Sequence, residues 1–460
     1  MIRLSSAFVD ASNVYGSSKE EEELLRLKVG GKLLLDRDQL LPILTRGERE
    51  ESEGHCFQAT GSDCIATSNA SRTAGDSRAH EWPGLTAIHT IFAREHNNIC
   101  DKLKSHPNVS NEWTDEDLFQ NARRILIAEW QKIVYGDWLP LVLGQGTMNM
   151  LDLDPFDSSN YRTDSDPSIR NSFATAAFRF GHSMIQGMVE TVALSGIAKH
   201  PLSKSFSLGD TFFNSATYES FVGNSSIMEE IIMGLVTQNT QKFDRHITDQ
   251  LTQRLFARNA RFMGQGEQTI DLGHDLMSRN IHRGRDHGLP SYVAFFNEFG
   301  LNDSESTMDC WDRRPHTISR DNWKLLEGIY LHPHHIDLVV GGFAEEPYNG
   351  GVVGQTFGQI IGNQFKVLRF GDRHFFTHNG NMNDQELAVV RQRTLGDILC
   401  ETTMITQVRE NVFRTDTPFR RCPHGNGLDI SQFQVFRAPE SGKLMQDDSI
   451  FGVFFPLNSI

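Results

Sequence analysis

Three short segments of this 460-residue chain combine histidine or arginine with small residues, and their side chains could do chemistry. They read DSRAHE at 76–81, AFRFGH at 177–182 and NIHRGRDHG at 280–288. An imidazole can ligate a metal or move a proton, and a guanidinium can stabilise negative charge that develops during a reaction. The three segments are therefore the first candidates for a functional site.

His182 has two interpretations when only the residues are considered. Phe178 and Ile185 lie four residues before and three residues after it, which places it on the apolar face of a predicted helix. A histidine in such a place is commonly a core residue that is hydrogen-bonded to the backbone. The alternative is an axial iron ligand, because Gly181 would let a flat cofactor approach and Arg179 could meet a carboxylate of that cofactor.

The other histidine and arginine groups also have simple structural interpretations. Arg78 and Glu81 precede a predicted helix and could form an ordinary capping ion pair, while 280–288 could be a charged loop with internal salt bridges. A kinase loop is excluded at 280–288 because the sequence lacks the other kinase motifs. The histidines of LHPHHID at 331–337 could suggest a metal site, but Pro333 disfavours a regular helical pair, and we expect a solvated loop.

Helical periodicity dominates the chain. Apolar residues recur at helical spacing from Leu85 to Leu103 and again from Asp115 to Trp138, with Thr114 as the predicted N-cap. Further helices are predicted at 168–192, 227–236, 247–256 and 321–330. Strand-like alternation is scarce, and no internal repeat or long flexible linker is found. The predicted fold class is mainly α, as a single large helical domain over residues 1–460 with few short strands.

Composition places the chain among globular proteins. It is 38% hydrophobic and 22% charged, and its 44 basic and 59 acidic residues give a net charge of −15. Because the basic residues are scattered, we expect no nucleic-acid partner and no anionic membrane surface as a partner. A membrane-spanning helix needs about 20 consecutive apolar residues, and no apolar run in the sequence is that long. The first residues of the sequence show no signal-peptide pattern.

Cysteine and glycosylation patterns favour an oxidising compartment. The sequence has an even number of cysteines and no CxxC motif, and their spacing does not decide how they pair. They are Cys56, Cys64, Cys100, Cys310, Cys400 and Cys422. Glycosylation acceptor triplets begin at Asn69, Asn108, Asn224 and Asn302. These patterns indicate an extracellular or secretory-pathway location, whereas the missing signal-peptide pattern points the other way.

The candidate segments belong to longer motifs in which the sequence resembles the animal haem peroxidases, the superfamily of peroxidasin, myeloperoxidase and thyroid peroxidase. The motifs are AFVDASNVYGS at 7–17, AGDSRAHEWPGLTAIHTIFAREHN at 74–97, DWLPLVLG at 137–144, AAFRFGHSMIQ at 176–186, NIHRGRDHGLPSY at 280–292 and HHIDLVVGGFAE at 334–345. The resemblance implies a haem-peroxidase domain of the animal type with haem b as cofactor. It also implies a peroxidase that reduces hydrogen peroxide and oxidises a halide, phenolic or protein donor through an oxo-ferryl intermediate.

The resemblance implies roles for the residues of these motifs. It makes His182 the proximal iron ligand, and Asn280 the acceptor of a hydrogen bond from the other imidazole nitrogen. Arg179 and Arg283 would pair with the haem propionates. Arg78 would be the catalytic residue that stabilises charge on the departing peroxide oxygen.

The resemblance also implies covalent and metal links. Glu81 matches a position that forms an ester to haem in some members, whereas Trp82 stands where myeloperoxidase has a haem-linked methionine, so that link is not expected. Four residues match the calcium-binding loop of the family and would supply its oxygen ligands: Ser6, Phe8, Asp10 and Ser12. The family's disulfides match Cys56 with Cys64 and Cys400 with Cys422, which leaves Cys100 and Cys310 unassigned.

One family motif is not found in these residues. The distal histidine, an aspartate of the calcium site and a second ester-forming aspartate belong to a GQFxDHD-like segment upstream of the calcium loop. A positioned base of that kind contributes about 10²–10⁴ in rate. We therefore expect an N-terminally incomplete peroxidase domain or, as the alternative, a haem-binding extracellular scaffold or interaction protein with little turnover. A cyclooxygenase-type oxygenase is disfavoured, because the 168–192 segment has no tyrosine in the predicted helix.

Overall fold

The computed structural model describes residues 6–36, 39–42, 72–157, 160–194, 205–214, 227–262, 268–301, 308, 310–378, 380–423 and 427–438. In this part the chain is mainly helical, with three antiparallel sheets of two strands each. The predicted fold class, mainly α with few short strands, is confirmed. Of the helices in these ranges, none is long and apolar enough to cross a bilayer.

Short and long helices alternate along the chain, with three strand pairs between them. The α-helices are α1 (Ser12–Tyr15), α2 (Lys19–Leu25), α3 (Pro83–Leu103), α4 (Asp115–Lys132), α5 (Leu139–Leu143), α6 (Gln145–Met150), α7 (Asn171–Thr175), α8 (Leu208–Thr211), α9 (Ile227–Thr237), α10 (Asp249–Thr252), α11 (Leu276–Asp286), α12 (Tyr292–Glu298), α13 (Arg320–Glu327), α14 (Leu338–Ala344), α15 (Gln355–Phe370), α16 (Asp384–Gln392) and α17 (Leu395–Thr402). The strand pairs are β1 (Met188–Glu190) with β2 (Ser205–Ser207), β3 (Leu255–Phe262) with β4 (Gln268–His274), and β5 (Gln407–Arg409) with β6 (Phe419–Arg421). A π-helix, Ile133–Trp138, continues α4, and 3₁₀ helices occupy Ala177–Met184, Pro333–His335 and Ile430–Gln432.

Helices α3 and α4 lie in the main core and confirm the helices predicted from Leu85 and from Asp115. Ile99 of α3 and Ile125 of α4 are fully buried. The helix α4 begins where the sequence predicts, because the Thr114 hydroxyl accepts from the Asp117 N–H at 3.2 Å and the Asp117 carboxylate accepts from the Thr114 N–H at 2.7 Å. This reciprocal cap satisfies two backbone donors that a helix start leaves without partners.

The prediction of one continuous helix at 168–192 is wrong. The segment divides into α7, the 3₁₀ helix Ala177–Met184 and strand β1. Ala176 separates the two helices with φ −132° and ψ −72°, outside the helical region. Beyond Met184, Gly187 and the β-branched Val189 favour the strand that pairs with β2.

The helix predicted at 247–256 is also wrong over most of its length. Only Asp249–Thr252 is helical, and Leu255 begins strand β3. Leu251 and Leu255 are four residues apart and both buried, which imitates a helical stripe, but they belong to adjacent elements that pack in one small cluster with Leu208. The spacing of these buried leucines therefore resembles that of a helix although the two residues belong to different elements, and this led to the wrong prediction.

Two helices that position the candidate site were not predicted. The segment at 280–288 was interpreted as a possible charged loop, but α11 is helical through Asp286 and is capped by Asp275, whose side chain accepts from two backbone N–H groups. The helix α15 contains glycines that weaken its helical signal. At Gly362 an added Cβ would lie 2.3 Å from Leu151 Cδ1, so this glycine permits close helix packing.

The described cysteines agree with the family pattern. Cys400 and Cys422 form a disulfide with an S–S distance of 2.04 Å, which confirms that predicted pair. Cys100 is buried and free, and Cys310 is half-buried and free. The predicted pair Cys56–Cys64 and the acceptors Asn69, Asn224 and Asn302 lie outside the described residues, while Asn108 is exposed.

Candidate haem site and distal cavity

His182 lies on the 3₁₀ helix Ala177–Met184, with its Nδ1 atom 2.9 Å from Asn280 Nδ2. Because a 3₁₀ helix has three residues per turn, Arg179 shares the face of His182, whereas Phe178 does not, which corrects the predicted apolar helix face. Burial, helped by the nearby charge of Arg179, lowers the pKa of His182 to about 4. The imidazole is therefore neutral at pH 7, which is the form that binds a metal.

Asn280 is fully buried on α11 and joins His182 to Arg179. Its Oδ1 atom accepts from Arg179 Nη1 at 2.6 Å, while its amide nitrogen donates to His182 Nδ1 and to Met277 Sδ at 3.3 Å. Because a guanidinium can only donate, the oxygen of Asn280 must face Arg179. The direction of the bond to His182 is therefore the reverse of the one that the resemblance implies.

Arg179 and Arg283 bring two positive charges together, and Arg179 is the one whose charge acts on His182. Burial and the charge of Arg283 lower the pKa of Arg179. Arg179 also donates from Nε to the Ala174 carbonyl at 3.2 Å, and Arg283 is exposed on α11. Within the described ranges, neither guanidinium is paired with a carboxylate, so the pair is suited to an anionic group.

These residues fit a haem group. The neutral imidazole can ligate iron, and the two guanidiniums can meet two propionates. A Cβ atom built on Gly181 would meet nothing within 4 Å, so open space adjoins His182 at a residue without a side chain. This is the residue at which the sequence predicts close approach of a flat cofactor.

Arg78 is held by a carboxylate that the sequence interpretation missed. Its Nε and Nη2 atoms donate to Asp76 Oδ1 and Oδ2 at 2.9 and 2.6 Å, so the ion pair is bidentate and involves Asp76, not Glu81. The Asp76 N–H donates to the Asn13 carbonyl at 3.1 Å, which ties this turn to the N-terminal loop. The DSR spacing was the available signal, because a carboxylate two residues before an arginine can reach its guanidinium.

Glu81 follows the same turn and is the candidate for an ester link. Burial raises its pKa to about 7; the charge of Arg78 lowers this pKa, and that of Asp76 raises it further. A substantial fraction of Glu81 is therefore protonated at neutral pH. Trp82 follows it and is the N-cap residue of α3.

Arg78 and Asp76 line a cavity of about 720 Å³. Its apolar wall is formed by Trp130, Val134 and Trp138, which are four residues apart along α4 and the π-helix that follows it. Other lining residues come from the N-terminal loop, α7, the 3₁₀ helix and α15: Ser6, Ala7, Phe8, Val9, Asp10, Ser12, Phe173, Phe178, Phe365 and Leu368. Phe178 is 42% exposed and reaches this cavity, whereas His182, Asn280 and Arg179 are not among its lining residues.

The predicted calcium loop adjoins this cavity. Phe8 N–H donates to Ser6 Oγ at 3.2 Å and Ser12 N–H donates to Asp10 Oδ1 at 3.0 Å, so hydroxyl and carboxylate oxygens bind backbone groups of the loop. Ser6, Phe8, Asp10 and Ser12 all line the cavity. No cluster of three or more His, Cys, Asp or Glu side chains suited to a metal is present among the described residues.

The histidines at 332, 334 and 335 are not in a regular α-helix, as the sequence predicts, but two of them lie in a short 3₁₀ helix rather than in a loop. Pro333 begins a short 3₁₀ helix, and the His332 and His334 rings stack 5.2 Å apart. His334 and His335 are exposed. These residues are not brought to the candidate haem site by any described hydrogen bond.

Residues 1–413 match the family model for the animal haem peroxidases. The chain belongs to the animal haem peroxidase family. It is 29% identical to peroxidasin of Drosophila melanogaster, over 98% of this chain and 28% of that protein, and 33% identical to myeloperoxidase of Mus musculus, over 90% and 55% respectively. It is 32% identical to heme peroxidase 2 of Caenorhabditis elegans, over 93% and 57%. The chain thus spans about half or less of the length of these curated relatives.

Solved structures show the same fold. Peroxidase A from Dictyostelium discoideum superposes with a TM-score of 0.69 at 28% identity, over 90% of this chain and 71% of that one. A fatty acid alpha-dioxygenase from Oryza sativa superposes with a TM-score of 0.65 at 20% identity, over 89% of this chain and 66% of that one, which shows the fold alone. The animal haem peroxidase family therefore supplies both the sequence motifs and the helical architecture of this chain, and it implies haem as the cofactor.

Proposed function

We propose that this chain is a haem peroxidase domain, which reduces hydrogen peroxide and oxidises a halide, phenolic or protein donor. The observation that carries the proposal is the hydrogen-bonded series Arg179–Asn280–His182, in which a half-buried neutral imidazole lies near Arg179, whose own charge is close to that of Arg283. This set of groups matches the iron and the two carboxylates of haem b. When bound, haem supplies the redox chemistry of peroxide reduction.

His182 is the proposed iron ligand, through its Nε2 atom, and Asn280 orients the imidazole. Coordination through Nε2 leaves the proton of a neutral imidazole on Nδ1. Asn280 would then have to turn its oxygen toward His182, which would break the bond between Arg179 Nη1 and Asn280 Oδ1. Arg179 would thereby be free to pair with a propionate, as would Arg283.

Arg78 is proposed to act on the peroxide side. Its guanidinium is 58% exposed and lines the cavity, where it can stabilise the negative charge on the oxygen that departs as the O–O bond breaks. Replacing such a donor costs about 10²–10³ in rate. We therefore expect Arg78→Leu to lower peroxide reduction by that factor while haem binding is retained.

Further features of the proposal are an ester from Glu81, calcium in the loop, and an extracellular or secretory-pathway location. The carboxyl of Glu81, whose pKa burial raises and the charge of Arg78 lowers, supports the ester. The oxygen-rich loop of Ser6, Phe8, Asp10 and Ser12 supports calcium binding. The disulfide Cys400–Cys422 supports an oxidising compartment. Acid-acetone extraction tests the ester, because haem that extracts completely is not covalently held.

Haem reconstitution tests the assignment of His182. The purified chain is titrated with haem, and we expect a Soret band that is shifted or weakened in His182→Ala. His332→Ala is the matched control, since no described hydrogen bond joins His332 to Arg179 or Asn280, and it should leave the band unchanged. A Soret band that ignores His182→Ala excludes His182 as the ligand. Turnover of guaiacol with hydrogen peroxide then measures the activity itself. A haem-loaded chain that stays without turnover after the upstream distal-histidine segment is added would exclude the peroxidase proposal.

A further inference from the structure

A second cavity, of about 180 Å³, lies beside helix α11, and we call it the α11 cavity. Its walls come from α11, from the turn that follows α11, from the 3₁₀ helix Pro333–His335 and from the start of α14. It shares no lining residue with the cavity of Arg78. The residues assigned above to haem or calcium do not line it either, so no role has yet been given to it.

The inner wall of the α11 cavity is apolar. Ile281 and Leu289 are half-buried and pack against the main core, and Leu338 and Val339 are buried behind them. At Gly284, the nearest atom to an added Cβ outside the helix is Leu289 Cδ1, at 3.6 Å, so no side chain fills this part of the wall. An apolar cavity of about 150 Å³ can hold benzene. Drug-sized ligands need about 300–1,000 Å³, so the volume here suits a single ring.

The opening of the α11 cavity carries polar groups with unused hydrogen-bonding capacity. His334 and His335 are exposed, and no side chain or backbone group among the described residues is hydrogen-bonded to their ring nitrogens. The Ser291 hydroxyl accepts from the Ala294 N–H at 3.3 Å, but it donates to no described residue. A neutral imidazole has one acceptor nitrogen, and a serine hydroxyl has one proton to donate. These groups therefore match a ligand hydroxyl, which both donates and accepts.

The charges at the α11 cavity favour a neutral ligand. Asp337 is the carboxylate among its lining residues, and it accepts from Arg285 Nε and Nη2 at 2.8 and 2.7 Å. The Tyr330 hydroxyl donates to the same carboxylate at 2.8 Å. This negative charge is already paired, and no lysine or arginine among the described residues lines the cavity. An anion or a cation bound there would lack an opposite charge, which is costly away from water.

We propose that the α11 cavity is a binding site for a small monocyclic phenol. The aromatic ring lies against Ile281 and Leu289. The phenol hydroxyl donates to a ring nitrogen of His334 or His335 and accepts from the hydroxyl of Ser291. The binding itself does not require haem, whereas any use of the bound phenol as an electron donor rests on the proposed peroxidase function.

The α11 cavity and the candidate haem site lie on two sides of the same helix. Ile281 and Gly284 of α11 line the cavity, while Asn280 of α11 contacts His182. Ala176 lines the cavity as well, and it directly precedes the 3₁₀ helix of His182. A phenol in this cavity is therefore bound next to the elements that hold His182, and apart from the cavity of Arg78.

The first measurement locates the bound phenol. The full 460-residue chain, without haem and labelled with nitrogen-15 histidine, is titrated with phenol and followed by NMR. We expect saturable shifts of the His334 and His335 resonances, which are assigned by their loss in His334→Ala and His335→Ala. Sodium iodide is titrated in parallel and should leave both resonances unmoved. Equal shifts with iodide would show an anion site and overturn the proposal.

The second measurement is the affinity for phenol by isothermal titration calorimetry. Gly284→Leu places a side chain in the open part of the cavity and should abolish measurable binding, while leucine is a better helix former than glycine. Gly328→Leu is the matched control, because Gly328 is exposed, has a helical φ of −71° and lies outside the cavity. It should bind phenol as the parent does. The double variant of His334→Ala with His335→Ala should bind phenol about two- to tenfold more weakly.

The outcomes separate this proposal from the peroxidase proposal. A haem-free chain that does not bind phenol, or that binds it equally well after Gly284→Leu, overturns the phenol site and leaves the peroxidase proposal untouched. Circular dichroism shows whether Gly284→Leu folds. If it does not, the histidine resonances of the unsubstituted chain decide, and their failure to shift at high phenol concentration overturns the site.

Discussion

At the scale of single residues, the candidate site depends on which atom of each side chain faces its neighbour. Asn280 uses both ends of its amide: the oxygen accepts from Arg179, and the nitrogen donates to His182 and Met277. This arrangement specifies an unprotonated Nδ1 on His182. If His182 ligates iron through Nε2, as proposed, the Asn280 amide would have to reverse and the imidazole would have to exchange its tautomer.

The tautomer of His182 is a direct test of this coupling. We expect the haem-free protein to hold a neutral imidazole with its proton on Nε2 at every pH above about 5, because burial and Arg179 lower the pKa to about 4. Nitrogen-15 NMR of histidine-labelled protein measures the tautomer, and His182→Ala identifies the resonance by its loss. A proton on Nδ1 in the haem-free protein would contradict the observed orientation of Asn280.

At the scale of elements, helix ends and helix contacts place these residues. Asp275 begins α11 and so sets the position of Asn280, while the turn of Asp76 and Arg78 precedes α3. Close to the start of α17, Arg393 forms a buried ionic cluster with α3, α4 and α17. It donates to the carboxylates of three residues: Glu95 at 2.8 Å, Glu129 at 2.6 Å, and Glu401. Three carboxylates share one guanidinium there, and Glu401 also binds Lys102.

One carboxyl of this cluster, that of Glu129, predicts a contribution to stability that falls with rising pH. Burial raises the pKa of Glu129 to about 8, above its unfolded value of about 4.3, so the folded state binds more protons than the unfolded state between these values. The stabilisation is fully present below the unfolded pKa and is lost as pH rises through the folded pKa, with a slope of up to about 1.4 kcal/mol per pH unit. Glu129→Gln should flatten this dependence in urea unfolding from pH 5 to 8. Glu112→Gln at an exposed site is the control, and an unchanged slope in Glu129→Gln would refute the prediction.

The cap of α4 gives a second prediction at this scale. Thr114→Ala removes the hydroxyl that accepts from Asp117 N–H and should lower the free energy of unfolding by about 0.5–2 kcal/mol. Thr114→Ser keeps an oxygen in the same place and should retain most of the stability. Thermal unfolding by circular dichroism compares the three proteins, and equal loss in both variants would show that the hydroxyl is not the cause.

At the scale of the whole molecule, distant parts of the chain are joined by a few specific contacts. The Phe433 carbonyl is 3.1 Å from His106 Nε2, and Asn121 binds the backbone of Phe436 through both its amide nitrogen and its oxygen. The disulfide Cys400–Cys422 closes a loop over a sequence separation of 22 residues and links α17 to the segment after β6. The contacts of Phe433 and Phe436 tie residues late in the described chain to α4 and to the turn that precedes it.

Removal of this disulfide should destabilise the folded chain by about 3 kcal/mol, because the crosslink restricts the unfolded state. The double variant Cys400→Ala with Cys422→Ala is compared with the parent in guanidinium unfolding. Cys310→Ala is the control, since Cys310 is free and half-buried. A double variant as stable as this control would show that the loop closure contributes nothing.

The amino-acid sequence by itself determined the elements whose signals are local. The long helices α3 and α4 follow from periodicity, the Thr114 cap follows from capping chemistry, and the disulfide Cys400–Cys422 follows from the family resemblance. The evidence for the helices and the cap lies within a few turns of chain. The mainly α architecture could therefore be predicted before any coordinates were known.

Only the tertiary structure decided the short elements and the details of the site. The 3₁₀ helix of His182 and the strand after it replaced a predicted helix, because partners far along the chain outweigh local propensity. Asn280 is 98 residues from His182, and the choice of which amide atom faces it depends on Arg179. The carboxylate partner of Arg78 was identified only when Asp76 was seen to bind its guanidinium at the cavity wall. A sequence specifies which groups are available, while hydrogen-bond direction and cavity position arise from contacts that exist only once the chain has folded.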